Sequence, residues 1–318
     1  MPKPEFVFAA DLGGTHLRVA TVDRSGKIYC RRMQPTPQAE KPNEIVRALI
    51  AAVHACEPGT AEQGGAISAV SVVVPGTVNV AEGVVVKAPN VPCLDGFRLG
   101  AALESELEWP VILENDANAA AIGEMWRGAG HGYRTLICVT LGTGVGGGII
   151  LDGKLWRGVD GSAAEIGHIG VDPFAGIACT CGSRGCLEVY ASATAIVRMT
   201  REARPRYPNS ILLDYEDLTS EKVYQAGREG DELALEVFRH MGAYLGIGLA
   251  SLINVLNPEI VVIGGGLSNG WDLFEKHMHQ QVMERAFPIP ARRVKILRAQ
   301  CGDDAGLLGA ARLAFKDQ

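Results

Sequence analysis

The sequence has no apolar run of membrane-spanning length, since a Gly, a Pro or a charge interrupts each one, and this excludes a membrane-spanning helix. It also lacks a basic excess. Thirty Lys and Arg stand against 36 Asp and Glu, a net charge of -6, and the cations are dispersed. A nucleic-acid surface would need them clustered. The pattern of a secretory leader is missing too: Met1-Pro-Lys-Pro-Glu5 runs straight into the strand-like Phe6-Val-Phe-Ala-Ala10, so the expected location is the cytoplasm and no membrane or nucleic-acid partner is expected. There are no low-complexity segments. Five cysteines, Cys30, Cys56, Cys93, Cys138 and Cys301, are scattered in mostly apolar surroundings and predict reduced core thiols without disulfides. What remains is a chain of 318 residues. That length suits two lobes of roughly 150 residues each and work on a small molecule.

The other three cysteines are not scattered. Glu165-Ile-Gly-His168 is followed by Cys179-Thr-Cys181-Gly-Ser-Arg-Gly185-Cys186-Leu-Glu188. One His and three Cys make a complete tetrahedral set for a structural zinc ion, a closed site that leaves the reaction to other residues. Gly182 and Gly185 would let the chain turn tightly around an ion. The spacing is not that of a common zinc finger, and three buried thiols beside a core histidine would be the plainer alternative. Glu165, His168 and Glu188 are polar groups suited to a polyhydroxyl ligand.

The chain repeats one strand-turn-strand plan. Phe6–Ala10, the turn Asp11-Leu-Gly-Gly-Thr15 and Leu17–Asp23 form the first copy, leading into Ile28–Arg31. Thr135–Thr140, the turn Leu141-Gly-Thr-Gly-Val-Gly-Gly-Gly148 and Ile149–Leu151 form the second, leading into Leu155–Arg157. Such a repeat predicts two similarly built lobes with a ligand between them. Elsewhere strands and helices alternate in an α/β pattern. Helices are expected over Glu44–Cys56, Ala117–Trp126, Leu187–Ala203, Glu221–Arg228, Glu232–Leu256, Trp271–Phe287 and Ala305–Phe315, and strands over Val70–Val74, Val111–Glu114, Ile260–Ile263 and Val294–Arg298. Pro35–Pro42 and Arg204–Glu216 read as surface loops.

Three glycine-rich turns follow strands and could cradle phosphate: Asp11–Thr15, Gly142–Gly147 and Gly264–Ser268. Ordinary hairpins remain the competing reading for any one of them. Gly142, Gly144 and Gly147 satisfy G-x-G-x-x-G, but β-branched Ile149-Ile150 follows where a dinucleotide fold needs a helix. Gly148 through Lys154 gives G-x-x-x-x-G-K, but Leu155 stands where a metal-binding Ser or Thr is required. Both patterns are decoys. Asp11 could hold magnesium through water, with Thr15, Thr143 and Gly144 on phosphate oxygens. In Glu114-Asn115-Asp116-Ala-Asn118, Asn115 and Asp116 suit adjacent sugar hydroxyls, although capping the following helix is the commoner use of such residues.

Taken together, Asp11-Leu-Gly-Gly-Thr-His-Leu-Arg18, Glu114-Asn-Asp-Ala-Asn-Ala-Ala-Ala-Ile-Gly-Glu124, Leu141–Gly148, Glu165-Ile-Gly-His168 and the cysteine block resemble, in order, the ROK family of bacterial sugar kinases, its glucokinases most of all. The likeness runs from about Phe6 to Phe315. It implies the actin-like ATPase architecture, two ribonuclease-H-like lobes with the active-site cleft between them. Residues 1–118 with 302–318 would form the small lobe, and 119–301 the large lobe with the zinc motif. It further implies a homodimer that binds a hexose and ATP with Mg2+.

Residue by residue, the resemblance implies that Asp116 is the general base on the sugar 6-hydroxyl. Gly76, Asn90, Asn115, Glu165, His168 and Glu188 would hold the sugar, with His168 shared between zinc and substrate. Asp11, Gly13, Gly14, Thr15, Thr143 and Gly144 fall at the phosphate positions, and Gly265, Gly266 and Leu267 near the nucleoside. His168, Cys179, Cys181 and Cys186 are the expected zinc ligands. Cys93-Leu-Asp-Gly96 departs from the family, where Gly-Trp often precedes the Asp-Gly. Glucose is the expected acceptor, with N-acetylglucosamine, N-acetylmannosamine, mannose and fructose as alternatives within the class. Phosphoryl donors other than ATP stay open, namely ADP or polyphosphate. A sugar-sensing ROK repressor is the alternative from another class, and so few residues before the first strand argue against its DNA-binding domain. An actin-like or chaperone-like ATPase without a small acceptor is a further rival, opposed by the Asn115-Asp116 and Glu165-x-x-His168 pairs.

Overall fold

The computed structural model describes residues 4–57 and 64–315, so Met1 to Lys3 of the expected direct start lie outside them. The chain divides into two compact units. The first comprises Met1–Arg134, Gly148–Ala163 and Gln300–Gln318; the second comprises Thr135–Gly147 and Ala164–Ala299.

In the first unit a five-stranded sheet has the order β3-β2-β1-β4-β7. Its strands are β1 (Glu5–Leu12), β2 (His16–Asp23), β3 (Ile28–Pro35), β4 (Ala66–Val74) and β7 (Val111–Asn115). β1 and β4 are nearly continuous apolar runs because both faces are covered. Successive residues alternate between two cores. Phe8, Ala10, Leu12, Val70, Val72 and Val74 join the cluster formed with α1 (Pro42–His54) and α2 (Leu99–Glu104). Val7, Ala9, Ala69 and Val73 face the cluster formed with α10 (Ala305–Ala314). A small hairpin, β5 (Thr77–Asn79) and β6 (Val84–Lys87), and the helix α2 escape a sequence reading because each is too short for its periodicity to show.

The second sheet has the order β10-β9-β8-β11-β12. These are β8 (Leu136–Leu141), β9 (Val145–Leu151), β10 (Lys154–Leu155), β11 (Ile260–Gly264) and β12 (Lys295–Arg298). Its order repeats that of the first sheet: a three-strand antiparallel meander, then two parallel strands. The repeat read from the glycine turns is therefore a repeat of whole sheets, in the ribonuclease-H-like order. The core of the second unit is dominated by α7 (Glu232–Leu256), whose Leu233, Val237, Met241, Leu245, Leu249 and Ile253 are buried at helical spacing. Asp231 caps its start by accepting from the Ala234 amide, and Asn257, left-handed at φ 47°, ends it before Pro258. α6 (Ser220–Arg228), α8 (Trp271–Arg285) and α9 (Pro288–Arg293) complete it.

Three expectations change. The helix read over Leu187–Ala203 is two, α4 (Glu188–Ala191) and α5 (Ala193–Ala203), because Ser192 is extended and caps α5 through the Ala195 amide. The segment Arg204–Glu216 lies at the surface as expected but is not a plain loop: it forms two 3-10 turns, Arg204–Arg206 and Ile211–Asp214, pinned by buried Leu212 and by the Arg204 guanidinium, which donates to the carbonyls of Leu212 and Tyr215. Third, the boundary drawn at 118/119 falls inside α3 (Asp116–Arg127), which belongs wholly to the first unit. The reason is close packing of α3 on α10. A Cβ on Gly309 would lie 1.7 Å from the Ala119 carbonyl, and one on Gly123 2.2 Å from that of Ala305. Only glycine allows backbones this near.

Glu124, also on α3, is 1% exposed. Its carboxylate accepts the amides of Ala129, Gln300 and Cys301, and so fixes where the chain enters α10.

Overpacking the α3–α10 seam tests this account. Gly309→Ala is expected to lose at least about 1–3 kcal/mol in urea unfolding, whereas an unchanged midpoint would mean that the seam is loose.

Candidate functional site

In the first unit the residues singled out by sequence gather at the C-terminal ends of the adjacent parallel strands β1, β4 and β7, where Asp11 pairs with Val73 and Val74 with Asn115. After β1 the chain turns through Gly13, Gly14 and Thr15. The Gly13 amide donates to the His16 carbonyl at 2.9 Å, and Thr36, just past β3, donates from Oγ1 to the Gly13 carbonyl at 2.6 Å and from its amide to that of Thr15 at 2.9 Å. The position of a Cβ on Gly14 would be 2.8 Å from the Asn90 Cβ, so Asn90 is brought to this turn. Gly76 follows β4 at φ 105°, and any Cβ there would meet the Lys87 carbonyl at 2.1 Å.

Asn115 caps α3 and also reaches two neighbours. Its Oδ1 accepts the Asn118 amide at 2.9 Å and caps α3, while Nδ2 donates to the Gly76 carbonyl at 2.9 Å and to Asp116 Oδ1 at 3.1 Å. The Ala117 amide also donates to Asp116 Oδ1, at 2.8 Å. Asp116 is thus held in one orientation at the start of a helix, where the positive end of the helix dipole favours its charge. Behind it lies a carboxylate that sequence reasoning did not single out. Glu114 is 2% exposed; Oε1 accepts from the Asn115 amide and Asn118 Nδ2, both at 3.0 Å, and Oε2 from Arg157 Nε at 2.7 Å. An acidic residue inside an apolar strand, one position before Asn115, was the available signal. Arg157 carried none, because its partner lies 43 residues away.

Asp11 also has partners the sequence did not reveal. Arg18, its cross-strand neighbour, places Nη1 3.6 Å from Oδ2, and a Cβ on Gly306 in the first turn of α10 would lie 3.4 Å from the same oxygen. Burial pushes the Asp11 carboxyl above its usual range; Arg18 opposes the shift and Asp303 adds to it.

In the second unit the turn after β8 is fixed from three sides. The Gly142 amide donates to the Gly144 carbonyl at 2.9 Å, Thr194 Oγ1 donates to the Thr143 carbonyl at 2.9 Å, and the Val145 amide donates to Glu188 Oε2 at 3.0 Å. A Cβ at Gly144 would collide with that same Oε2, at 2.4 Å. Gly265, at φ 82°, packs on the backbone of Leu141, which brings Gly265, Gly266 and Leu267 to the same strand ends as Thr143 and Gly144. Gly266 and Leu267 line a cavity of about 610 Å³ together with Tyr224, Gln225, Asn269 and Arg298.

His168, Cys179, Cys181 and Cys186 also come together, with one donor atom from each lying within 4.8 Å of all the others. Cys179 Sγ is 3.6 Å from His168 Nδ1 and Cys181 Sγ is 3.7 Å from Cys186 Sγ. Ligand separations of roughly 3.5–3.8 Å are what a tetrahedral ion with metal–sulfur bonds near 2.3 Å requires. The loop can close this tightly because Gly182 and Gly185 are left-handed, at φ 92° and 69°. Burial pushes the Cys186 thiol up to about 12, so a thiolate there calls for a cation. The backbone amide of Ser183 holds exposed Cys181 below its ordinary value. The second ring nitrogen of His168, Nε2, faces Glu165 Oε2 at 3.9 Å.

The model of the ROK family matches residues 7–317. The glucokinase of Halalkalibacterium halodurans is 39% identical over 312 residues, 97% of this chain and 94% of that protein. A ROK family glucokinase from Streptomyces griseus, solved with glucose and AMPPNP, is 37% identical, covers 97% of this chain and 98% of its own, and superposes with a TM-score of 0.82. A ROK family transcriptional regulator, a homologue of the Escherichia coli Mlc protein, is 27% identical with a TM-score of 0.89, covering 98% of this chain and 78% of its own.

The raised carboxyl of Asp11 has a stability consequence. A carboxyl whose folded pKa lies above its unfolded value contributes stability below the unfolded pKa and loses it as pH rises through the folded one. At neutral pH ionised Asp11 therefore opposes folding, and Asp11→Asn is expected to raise the urea midpoint at pH 7 and to narrow the difference at pH 3. A midpoint lowered at both pH values would show that Arg18 outweighs burial.

Proposed function

Since this chain belongs to the ROK family, we propose that it transfers the γ-phosphoryl group of ATP to the 6-hydroxyl of glucose, in the actin-like ATPase fold. The observation that carries the reading is Asp116, held by Asn115 and the α3 N-terminus, in a chain whose glucokinase relatives match it over nearly their full length.

Asp116 accepts the proton of the attacking hydroxyl as the phosphoryl group moves. Phosphoryl transfer passes through a loose transition state, so positioning and charge stabilisation matter more than a strong base. Gly76, Asn90 and Asn115 of the first unit and Glu165, His168 and Glu188 of the second hold the remaining sugar hydroxyls. The turns at Gly13–Thr15 and Thr143–Gly144 present amides and hydroxyls to phosphate oxygens, and Gly265, Gly266 and Leu267 sit by the nucleoside, the last two lining the cavity there. Magnesium bound with ATP would neutralise charge on the phosphates, with Asp11 reaching it through water.

The metal held by His168, Cys179, Cys181 and Cys186 is read as zinc, since thiolate and imidazole donors in a closed tetrahedral set favour it. It would supply no reactive position. It fixes the His168 ring through Nδ1 and leaves Nε2 for the sugar. We also assign the protein to the cytoplasm as a homodimer. Among the described residues no helix is long and apolar enough to cross a membrane, and sedimentation tests the dimer.

A coupled assay with glucose, mannose, fructose, N-acetylglucosamine and N-acetylmannosamine, using ATP, ADP or polyphosphate as donor, tests the reaction; highest kcat/KM with anything but glucose and ATP overturns it. Asp116→Asn is expected to lower kcat at least about 100-fold while glucose binding survives, and near wild-type kcat would remove its role. Cys181→Ser is expected to cut zinc content and to raise the glucose KM about 10-fold. Native protein without zinc in elemental analysis would end the zinc assignment.

A further inference from the structure

The sequence reading left Cys30 and Cys56 as separate core thiols, and the structure brings them together. Cys30 lies on β3 and Cys56 just beyond the end of α1, where its amide donates to the Val53 carbonyl at 2.9 Å. Their Sγ atoms are 2.6 Å apart across 26 residues of sequence. A disulfide needs about 2.05 Å, so only a small side-chain adjustment separates the two thiols from a bond. The pair is also asymmetric. Cys56 is fully buried, its Sγ 3.9 Å from the Val19 carbonyl, whereas Cys30 is only partly buried at the edge of the same cluster and is the less enclosed of the two.

We propose that Cys30 and Cys56 are a reversible thiol–disulfide couple, a modification site on the first unit whose reagent is a small disulfide of the glutathione class. The order of steps follows from the asymmetry. Cys30, the less enclosed residue, loses its proton to solvent and attacks one sulfur of the small disulfide; that S–S bond breaks and one small thiolate leaves. Cys56 then attacks the Cys30 sulfur, its proton passing to the second small thiolate as that leaves. Two protein thiols are oxidised to one disulfide, and one small disulfide is reduced to two thiols. Burial pushes the Cys56 thiol up to about 12, which suits it poorly to the first attack. In the second step its fixed position beside Cys30 compensates through a high effective concentration. In a reducing compartment such a bond is transient, which is the usual behaviour of redox-sensing pairs.

Neither thiol belongs to the residues assigned above to sugar, phosphate or metal, so the site can be tested without disabling them. The native metal-containing protein is incubated with oxidised glutathione, alkylated and mapped by peptide mass. The expected product is a Cys30–Cys56 linked peptide, reversed by dithiothreitol, together with a Tm raised by roughly 5 °C from closing the loop. Cys30→Ser and Cys56→Ser should each abolish the link and the shift, with kcat staying within about twofold of wild type. Both thiols remaining alkylatable after oxidation would overturn the proposal. So would a Cys30 that keeps its glutathione because Cys56 never displaces it. Loss of kinase activity on glucose would bear on the proposed function alone, since the link is read by mass.

Discussion

Much of the first unit depends on the buried carboxylate of Glu124. It gathers amides from residue 129 and from residues 300 and 301, segments far apart in sequence. Hydrogen bonds to a charged acceptor contribute roughly 1.5–3 kcal/mol each, and amides that lose such an acceptor inside a protein carry a comparable penalty. The geometry downstream matters as much as the energy. Glu124 sets the point from which α10 starts, α10 sets Gly306 against Asp11, and Asp11 stands at the head of the first glycine turn.

The same device recurs in the functional turns. Glu114 holds the Asn115 amide and Asn118 behind Asp116, and Glu188 holds the Val145 amide beside Thr143 and Gly144. Each carboxylate is a side chain recruited to shape backbone, and backbone is what a phosphate or a sugar hydroxyl meets. Glu188 holds the turn through one oxygen, Oε2. Asn115 caps α3 through Oδ1, and the cap aims its Nδ2 at Asp116.

What the sequence disclosed was mostly local. The cysteine block, the glycine turns and Asn115-Asp116 are short motifs whose chemistry is carried by neighbouring residues, and the structure brings the four donors of the cysteine block within 4.8 Å of one another. α7 was legible to the residue, because Asp231 and Asn257-Pro258 punctuate both ends. The misses are pairings over long separations or cases where a competing local bond wins. Arg157 with Glu114, Arg18 with Asp303 and Cys30 with Cys56 leave no periodic trace. Ser192 cuts a continuous apolar pattern because its hydroxyl gains a cap, and the boundary at 118/119 failed because small residues on α3 read as ordinary helix when they are a packing surface.

That surface has one more consequence. The contact between Gly123, Gly309, Ala119 and Ala305 joins backbone to backbone, with no rotamers to exchange. α3 begins at Asp116, and α10 begins beside Asp11. The separation of the two helices at that contact is therefore a property of main-chain thickness.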